Sequence, residues 1–394
     1  MSSKKFDKII NRIEFIKKLL KNTDLDPMIS YDYNEKTIIK KNKSFKDVIQ
    51  DIGGKLLYHK SGTTGHLFKG ISYPDPSDNE YCINYAVKIV AYPKKENYGE
   101  IDDPARPENA ELNMLRLLSY FVINNHTPHI VLPITTFNTD ISMFVSLTKN
   151  KIVINKKYDN FVKRYQEDEF FDTVSVLISE WADGGDLLDY LRSNYTKLKT
   201  REWRVILFQI LSVLAVIQTK YPSFRHNDLK ANNILLQKIS NCDDNNIYKY
   251  NINGNEYFVP NIGLRIKIWD FDFASSDQVP NQKVMSDWTD KINVKPEAHP
   301  YYDVHYFFNT LISRNFLPKF LENDSDGKPM IPTEVKEFIN RILPERLRSG
   351  KNTTERGRLL LSFDELKKKF PNNNLTPDSI LQNDPFFKKM RPLK

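Results

Sequence analysis

Cysteine is almost absent from this sequence: Cys82 and Cys242 are the only two in 394 residues, and nothing around them has metal-ligand spacing. That excludes a disulfide framework and fits a reducing compartment. Long apolar runs are missing too. None reaches the roughly 18–20 uninterrupted residues that a membrane-spanning helix needs. The opening "MSSKKFDKIINRIEFIKKLL" has neither the apolar core nor the small-residue cleavage site of a secretory leader, so a soluble, intracellular protein is expected. Nor does either charge dominate: 58 Lys and Arg stand against 50 Asp and Glu, and the net charge of +8 is spread along the chain. Such a surplus attracts anionic ligands mildly and demands no nucleic acid. Internal repeats and long low-complexity linkers are also lacking.

What is present describes a folded chain with a large core. Hydrophobic residues make up 40% and aromatics 12%, enough for two domains or one bilobal unit. Phe6, Ile9, Ile10, Ile13, Ile16, Leu19 and Leu20 recur at helical spacing among basic residues. This predicts an amphipathic helix packed on the main body, with peripheral membrane or partner contact as the alternative. "KLLYHK", "HLFKGISY" and "CINYAVKIV" then predict strands, "PENAELNMLRLLSYF" a helix, and Ile130–Pro133 and Val174–Ser179 further strands. "KKYDNFVKRYQEDEFFD", between those last two, reads as a surface insertion. After Gly184 the chain turns helical in "DLLDYLRSN" and "REWRVILFQILSVLAVIQ", while "NCDDNNIYKYNINGNEY" reads as loop or hairpin turn. The expected fold class is α+β: a strand-rich first part and a helical second part joined near Trp181–Gly185.

Several polar residues sit where chemistry would want them. In "KSGTTGHLFKG", Gly62 and Gly65 occupy a turn between strands, where missing side chains let backbone N–H groups approach an anion. Lys88 lies in the apolar strand "YAVKIV". It points either outward, as most such lysines do, or inward to a carboxylate or phosphate, because a buried ammonium without a partner is costly. The next helix offers Glu108 near its start and Glu111 near its buried face. In "HNDLKANNILL", Asp228 is placed to accept a proton, Lys230 to steady charge and Asn233 to offer a metal ion an oxygen. "IKIWDFDFAS" follows, ending a strand at Asp270 and Asp272. Asn233 and Asp270 suit a hard cation such as Mg²⁺, which prefers oxygen ligands. Taken singly, each of these is also an ordinary turn or strand residue. Their order carries the information.

That order resembles the eukaryotic protein-kinase superfamily from about residue 51 to about 390. The resemblance implies a bilobal fold: residues 1–50 as a helical extension, 51–182 as the N-lobe, and 183–394 as the C-lobe with an insertion near 237–264. It implies ATP and Mg²⁺ as cofactors and protein substrates as partners. Asp228 is then the catalytic base beside Lys230. Lys88 pairs with Glu111 and the α/β-phosphates, and Asn233 and Asp270 hold the metal. Ser179 becomes the gatekeeper, the backbones of Glu180 and Ala182 meet adenine, and Asp186 sits near the ribose. Leu67, Ala86 and Leu235 sandwich the ring.

Four departures from the family pattern stand out. Lys60 takes the place of the loop's first glycine. Asn227 replaces the Arg before the catalytic Asp, which implies activity independent of a phosphorylated activation loop. Asp272 replaces the glycine of Asp-Phe-Gly and should stiffen that hinge. No clear Ala-Pro-Glu follows, and Glu297 of "KPEAHP" lies only six residues before Asp303, so a short or reshaped activation segment is expected. "PYYDVHYFFNTL", the Asp-Phe-Asp variant and the insertion resemble serine/threonine kinases of poxviruses and other large DNA viruses, implying host cytoplasm and virion as locations. The rival enzyme is a small-molecule kinase of the choline-kinase or aminoglycoside-phosphotransferase type. A nucleotide-binding pseudokinase is the non-enzymatic alternative. Lys230, the "GGDLLDYL" helix and the "DPFF" ending favour a protein serine/threonine substrate.

Overall fold

The structure, a computed structural model, describes residues 9–32, 38–73, 83–148, 152–239, 246–313, 315–317, 319–371, 373 and 375–392. Cys82, Cys242, Phe6 and part of the expected insertion lie outside the described residues. The chain divides into two compact units, residues 1–123 with 131–181, and residues 124–130 with 182–394.

The first unit begins with helix α1 (Ile9–Leu20), whose apolar period buries Phe15, Ile16, Leu19 and Leu20. Helix α2 (Phe45–Ile52) is capped by Ser44, whose hydroxyl accepts from the Asp47 amide. Strands β1 (Lys55–Ser61), β2 (His66–Ser72) and β3 (Ile83–Pro93) precede helix α3 (Pro107–Ile123). Next come β4 (Pro133–Asp140), the short α4 (Ser142–Val145), α5 (Lys156–Gln166) and β5 (Phe170–Glu180). The five strands form one antiparallel sheet in the order β1-β2-β3-β5-β4.

Two sequence expectations are corrected here. "KKYDNFVKRYQ" is a helix and part of the packed unit, because Tyr158 and Phe161, three apart, turn inward. The Tyr158 ring lies 4.3 Å from the His66 ring and its hydroxyl donates to the Phe144 carbonyl. The strand expected at Ile130–Pro133 instead starts at Pro133 and runs through "TTFNTD". β-branched Thr135, Thr136 and Thr139 serve as buried strand residues there, which an apolar pattern does not reveal.

The second unit is built on α7 (Thr200–Lys220), buried from Trp203 to Gln218. Among the described residues this one helix is long and apolar enough to cross a membrane, and 83% of its apolar window is buried as a core helix. Around it stand α6 (Leu187–Asn194), the strands β6 (Ile234–Lys238), β7 (Ile247–Ile252), β8 (Asn255–Pro260) and β9 (Leu264–Ile268), and the helices α8 (Asp287–Asp290), α9 (Tyr302–Leu311), α10 (Thr333–Ile342), α11 (Phe363–Lys369) and α12 (Pro377–Asn383). β6 pairs with β9, and β7 with β8, both antiparallel. From Ile247 on, the Asn-rich stretch forms the β7–β8 hairpin, turning at Asn253 and Gly254 with positive φ of 51° and 85°. Its Tyr250 and Tyr257 rings pack on Phe208 of α7.

Candidate active site

In the first unit the sheet register brings one set of candidates together. Leu67 pairs with Lys88 across β2 and β3, and Ala86 pairs with Ser179 across β3 and β5. Lys88 points inward: its Nζ lies 2.5 Å from Glu111 Oε1, with both side chains more than nine-tenths buried. Glu111 of α3, and not Glu108, is the partner. Glu108 lies 2.9 Å from Arg106 instead. A buried ion pair contributes little net stability, since desolvation offsets most of the attraction, so its value lies in fixing where the ammonium stands.

Gly62 and Gly65 close the β1–β2 turn through a 2.8 Å bond from the Gly62 amide to the Gly65 carbonyl. A Cβ on Gly65 would come within 3.2 Å of the Lys88 side chain and 3.1 Å of the Ile89 carbonyl, so any larger residue would crowd the lysine and the strand beneath the turn. Beside the turn, His66 bonds Ser61 Oγ at 2.8 Å, and burial against α5 pushes its pKa down to about 4.

Glu180, the last residue of β5, is held from two sides. Arg12 of α1 donates to both carboxylate oxygens at 2.6 and 2.7 Å, and the Leu132 amide donates to Oε2 at 2.9 Å. The Glu180 amide in turn donates to the Leu132 carbonyl. No sequence signal announced Arg12, which lies 168 residues away.

In the second unit the pieces converge on Asp228. The 3-10 turn Ala231–Asn233 lets Asn233 reach back, donating from Nδ2 to the Asp228 carbonyl at 3.0 Å and to its Oδ2 at 3.1 Å. Lys230 Nζ stands 2.8 Å from the same oxygen. β6–β9 pairing sets Ile234 opposite Ile268, and the Trp269 amide donates to the Asn233 carbonyl, so Asn233 and Asp270 leave neighbouring strand ends. Asp270 has φ 67°, a left-handed conformation that Asp tolerates better than most residues. An amide oxygen and a carboxylate are the donor types a hard divalent cation takes, so this pair fits such an ion.

Leu235 forms an isolated bridge with Asp186, and the Gly184 amide bonds the Leu236 carbonyl at 2.7 Å. A Cβ on Gly184 would lie 2.6 Å from that carbonyl oxygen, which explains the glycine. The Asp186 carboxylate caps α6 by accepting from the Asp189 amide. Ala182 is buried close by in sequence.

The residues that depart from the family pattern have definite jobs. The Asn227 side chain donates to the carbonyls of Phe273 and Lys295, at 3.0 and 3.4 Å, and so pins both ends of the intervening segment. Asp272 pairs with Lys283 inside that segment, and Asn281 donates to the Asp272 carbonyl. Two further residues escaped the sequence reading. Fully buried Asp303 of α9 accepts from the amides of His226 and Asn227, and burial raises its pKa despite them. Arg358 donates to Asp228 Oδ1 at 2.6 Å across 130 residues.

The chain as a whole is similar to known proteins. Residues 132–296 match the family model described as protein tyrosine and serine/threonine kinase. The chain is 45% identical over 395 residues to R400 of Acanthamoeba polyphaga mimivirus, by name a candidate serine/threonine-protein kinase, covering 97% of this chain and 80% of that one. A second mimivirus protein of similar name, R301, is 26% identical over 66% of this chain and 72% of its own length. Human serine/threonine-protein kinase ULK1 is 34% identical over 124 residues, 32% of this chain and 10% of ULK1. The chain belongs to the protein kinase family, the bilobal α+β phosphotransferases that use ATP and a divalent metal.

Proposed function

We propose that this kinase transfers the γ-phosphoryl group of ATP to serine and threonine hydroxyls of protein substrates, with Mg²⁺ as its metal. The observation that carries the reading is the second unit's cluster, in which Lys230 and Asn233 converge on the Asp228 carboxylate at 2.8 and 3.1 Å. Asp228 accepts the proton as the substrate oxygen attacks the γ-phosphorus. The bond from that phosphorus to the β–γ bridging oxygen breaks, and ADP leaves with the electron pair. Lys230 stabilises the charge on the transferring group and, through the family resemblance, favours Ser/Thr over Tyr. Asn233 and Asp270 would hold the cation, which supplies charge neutralisation at the phosphates. Lys88, fixed by Glu111, serves the α/β-phosphates, and the Gly62–Gly65 turn offers them backbone amides. Glu180 and Ala182 present backbone groups to adenine, Leu67, Ala86 and Leu235 flank it, and Asp186 reaches the ribose.

In this reading residues 51–182 and 183–394 form the two lobes, 1–50 an extension and 237–264 an insertion. The mimivirus relatives support an origin in a large DNA virus, and with it action in the host cytoplasm and carriage in the virion.

Purified protein with labelled ATP and Mg²⁺, offered casein, basic protein, choline and aminoglycosides in parallel, tests the assignment. Label on Ser/Thr of protein is expected. In Asp228→Asn, turnover should fall by about 10²–10⁴, the usual worth of a general base, with ATP binding retained. Label on a small molecule alone would overturn the reading, as would near-normal activity in the variant.

A further inference from the structure

Asp228 carries more bonds than the proposed chemistry requires. A carboxylate offers about four lone-pair sites. Among the described residues, Lys230 and Asn233 occupy the two on Oδ2, and Arg358 takes one on Oδ1. One site, on Oδ1, is left.

Arg358 is built in rather than draped over. It lies in the stretch "TTERGRLLL", residues 353–361, closed by a bridge between Thr353 and Leu359. The Thr354 amide donates to the Arg358 carbonyl at 2.8 Å, the Arg358 amide to Thr354 Oγ1 at 3.1 Å, and the Gly357 amide to the Thr354 carbonyl at 2.9 Å. Gly357 takes φ 76°, and its carbonyl accepts from Asn309 of α9 at 2.8 Å. Asn293 donates to the Leu359 carbonyl and His299 bonds the Leu361 carbonyl at 3.1 Å, so the C-terminal side of the turn is tied at two points to the stretch before α9. The guanidinium itself sits 4.1 Å above the Tyr306 ring, donates to the Asn227 carbonyl and lies 3.4 Å from the Tyr302 hydroxyl. Its side chain is 5% exposed. A planar fork that spans a backbone carbonyl and the neighbouring carboxylate fixes both in a way a point charge does not.

We propose that Arg358 is a positioning residue for phosphoryl transfer, fixing the Asp228 carboxylate so that one lone pair of Oδ1 remains to accept the substrate proton. The inference rests on the function proposed above. Asn227, the residue next to Asp228, cannot serve this purpose, because its amide is committed to Phe273 and Lys295. The fork therefore comes from the far end of the chain. An inserted pseudosubstrate would also place an arginine on this carboxylate, but such a segment must be able to leave. Here leaving would break the turn, its ties to Asn309 and Asn293, and the stacking on Tyr306.

The test is steady-state phosphorylation of casein and basic protein by the full chain and by Arg358→Met and Arg358→Lys, with thermal melts of each. In Arg358→Met, kcat should fall about a hundredfold, the scale of a small misplacement of a reacting group. KM for ATP should stay within about twofold of wild type, since the nucleotide's own contacts are untouched. Lysine keeps the charge and loses the fork, so Arg358→Lys should recover part of the loss and stay about tenfold below wild type. A loss confined to melting temperature, with kcat intact, would make Arg358 merely structural. A rise in kcat would make it a brake. Either overturns the proposal. If Arg358→Met does not fold, folded Arg358→Lys decides, and wild-type kcat in it is the overturning result. Wild-type protein that labels no protein substrate overturns the functional reading and this inference with it. Label from wild type together with unchanged variants overturns the inference alone.

Discussion

Each unit contains a buried arginine, brought from a distant part of the chain, that closes on a carboxylate of the proposed site. In the first, Arg12 meets both oxygens of Glu180, and the Leu132 amide adds a third bond. In the second, Arg358 meets only one oxygen of Asp228 and shares the residue with Lys230 and Asn233. The device is the same and the use differs. Glu180 is gripped across both oxygens by a single guanidinium, which suits a group whose task is to hold the end of β5 where its backbone is wanted. Asp228 is constrained but keeps acceptor capacity, which suits a group that must take a proton. Substitution at the first clamp should therefore show in stability, and at the second in turnover.

The largest effect is expected at the first clamp. Arg12→Met leaves the Glu180 carboxylate buried and without its charge partner, a change that costs about 3–5 kcal/mol in comparable settings. Urea unfolding should show that loss, while kcat below the melting range changes far less than in Arg358→Met. Arg12→Met combined with Glu180→Leu should regain much of the stability, because removing both charges avoids the unpaired one. A cost under about 1 kcal/mol for Arg12→Met would place it among weak surface pairs and end the comparison.

Asn227 sharpens the contrast within the second unit. It has φ 63°, a conformation that Asn and Asp tolerate, so Asn227→Asp preserves the backbone while replacing the donors with a buried carboxylate. The Phe273 and Lys295 carbonyls would then face an acceptor, with a cost of at least about 1–3 kcal/mol, because the new group is charged. Activity should fall with it. Phosphatase treatment of the wild type should leave activity unchanged, since the segment between Phe273 and Lys295 is held by the Asn227 amide and by the Asp272–Lys283 pair with no phosphate involved. Loss of activity on phosphatase treatment would show that these bonds do not replace a phosphate.

Much of this was legible in the sequence where local spacing determines geometry. Asp228, Lys230 and Asn233 lie within one turn and a strand start, so their convergence follows from the chain itself. Lys88 in "YAVKIV" left two directions open, and the family resemblance chose the inward one with Glu111 on the next helix's buried face. The clamps were not legible. Arg12 falls inside a basic amphipathic pattern where an arginine normally faces water, and Arg358 sits in a polar turn with no period at all. Partnerships across 168 and 130 residues are fixed by tertiary packing, and no spacing rule reaches that far. The helix at α5 was missed for a milder reason. Its buried aromatics are outnumbered by Lys, Asp and Arg, so average polarity hid the two positions that matter.

Acidification should separate stability from the clamps altogether. His299 and His305 are buried, each with Nε2 bonded to a backbone carbonyl, of Leu361 and Leu347, and with Nδ1 lacking a partner among the described residues. A second proton would go to that Nδ1 with nothing to receive it. Burial accordingly pushes both pKa values, and that of His66, from 6.5 down to about 4. Between those values the unfolded chain binds protons that the folded chain refuses. Stability is therefore full above pH 6.5 and is lost as pH falls toward 4. From pH 7 to pH 5 each of the three histidines should remove about 1–2 kcal/mol, from 1.36 kcal/mol per pH unit below the unfolded value. Melting temperature measured across that range should drop, and His305→Gln should flatten the curve even though it lowers stability at pH 7. A pH profile unchanged by that substitution would mean that His305 is not the group refusing the proton.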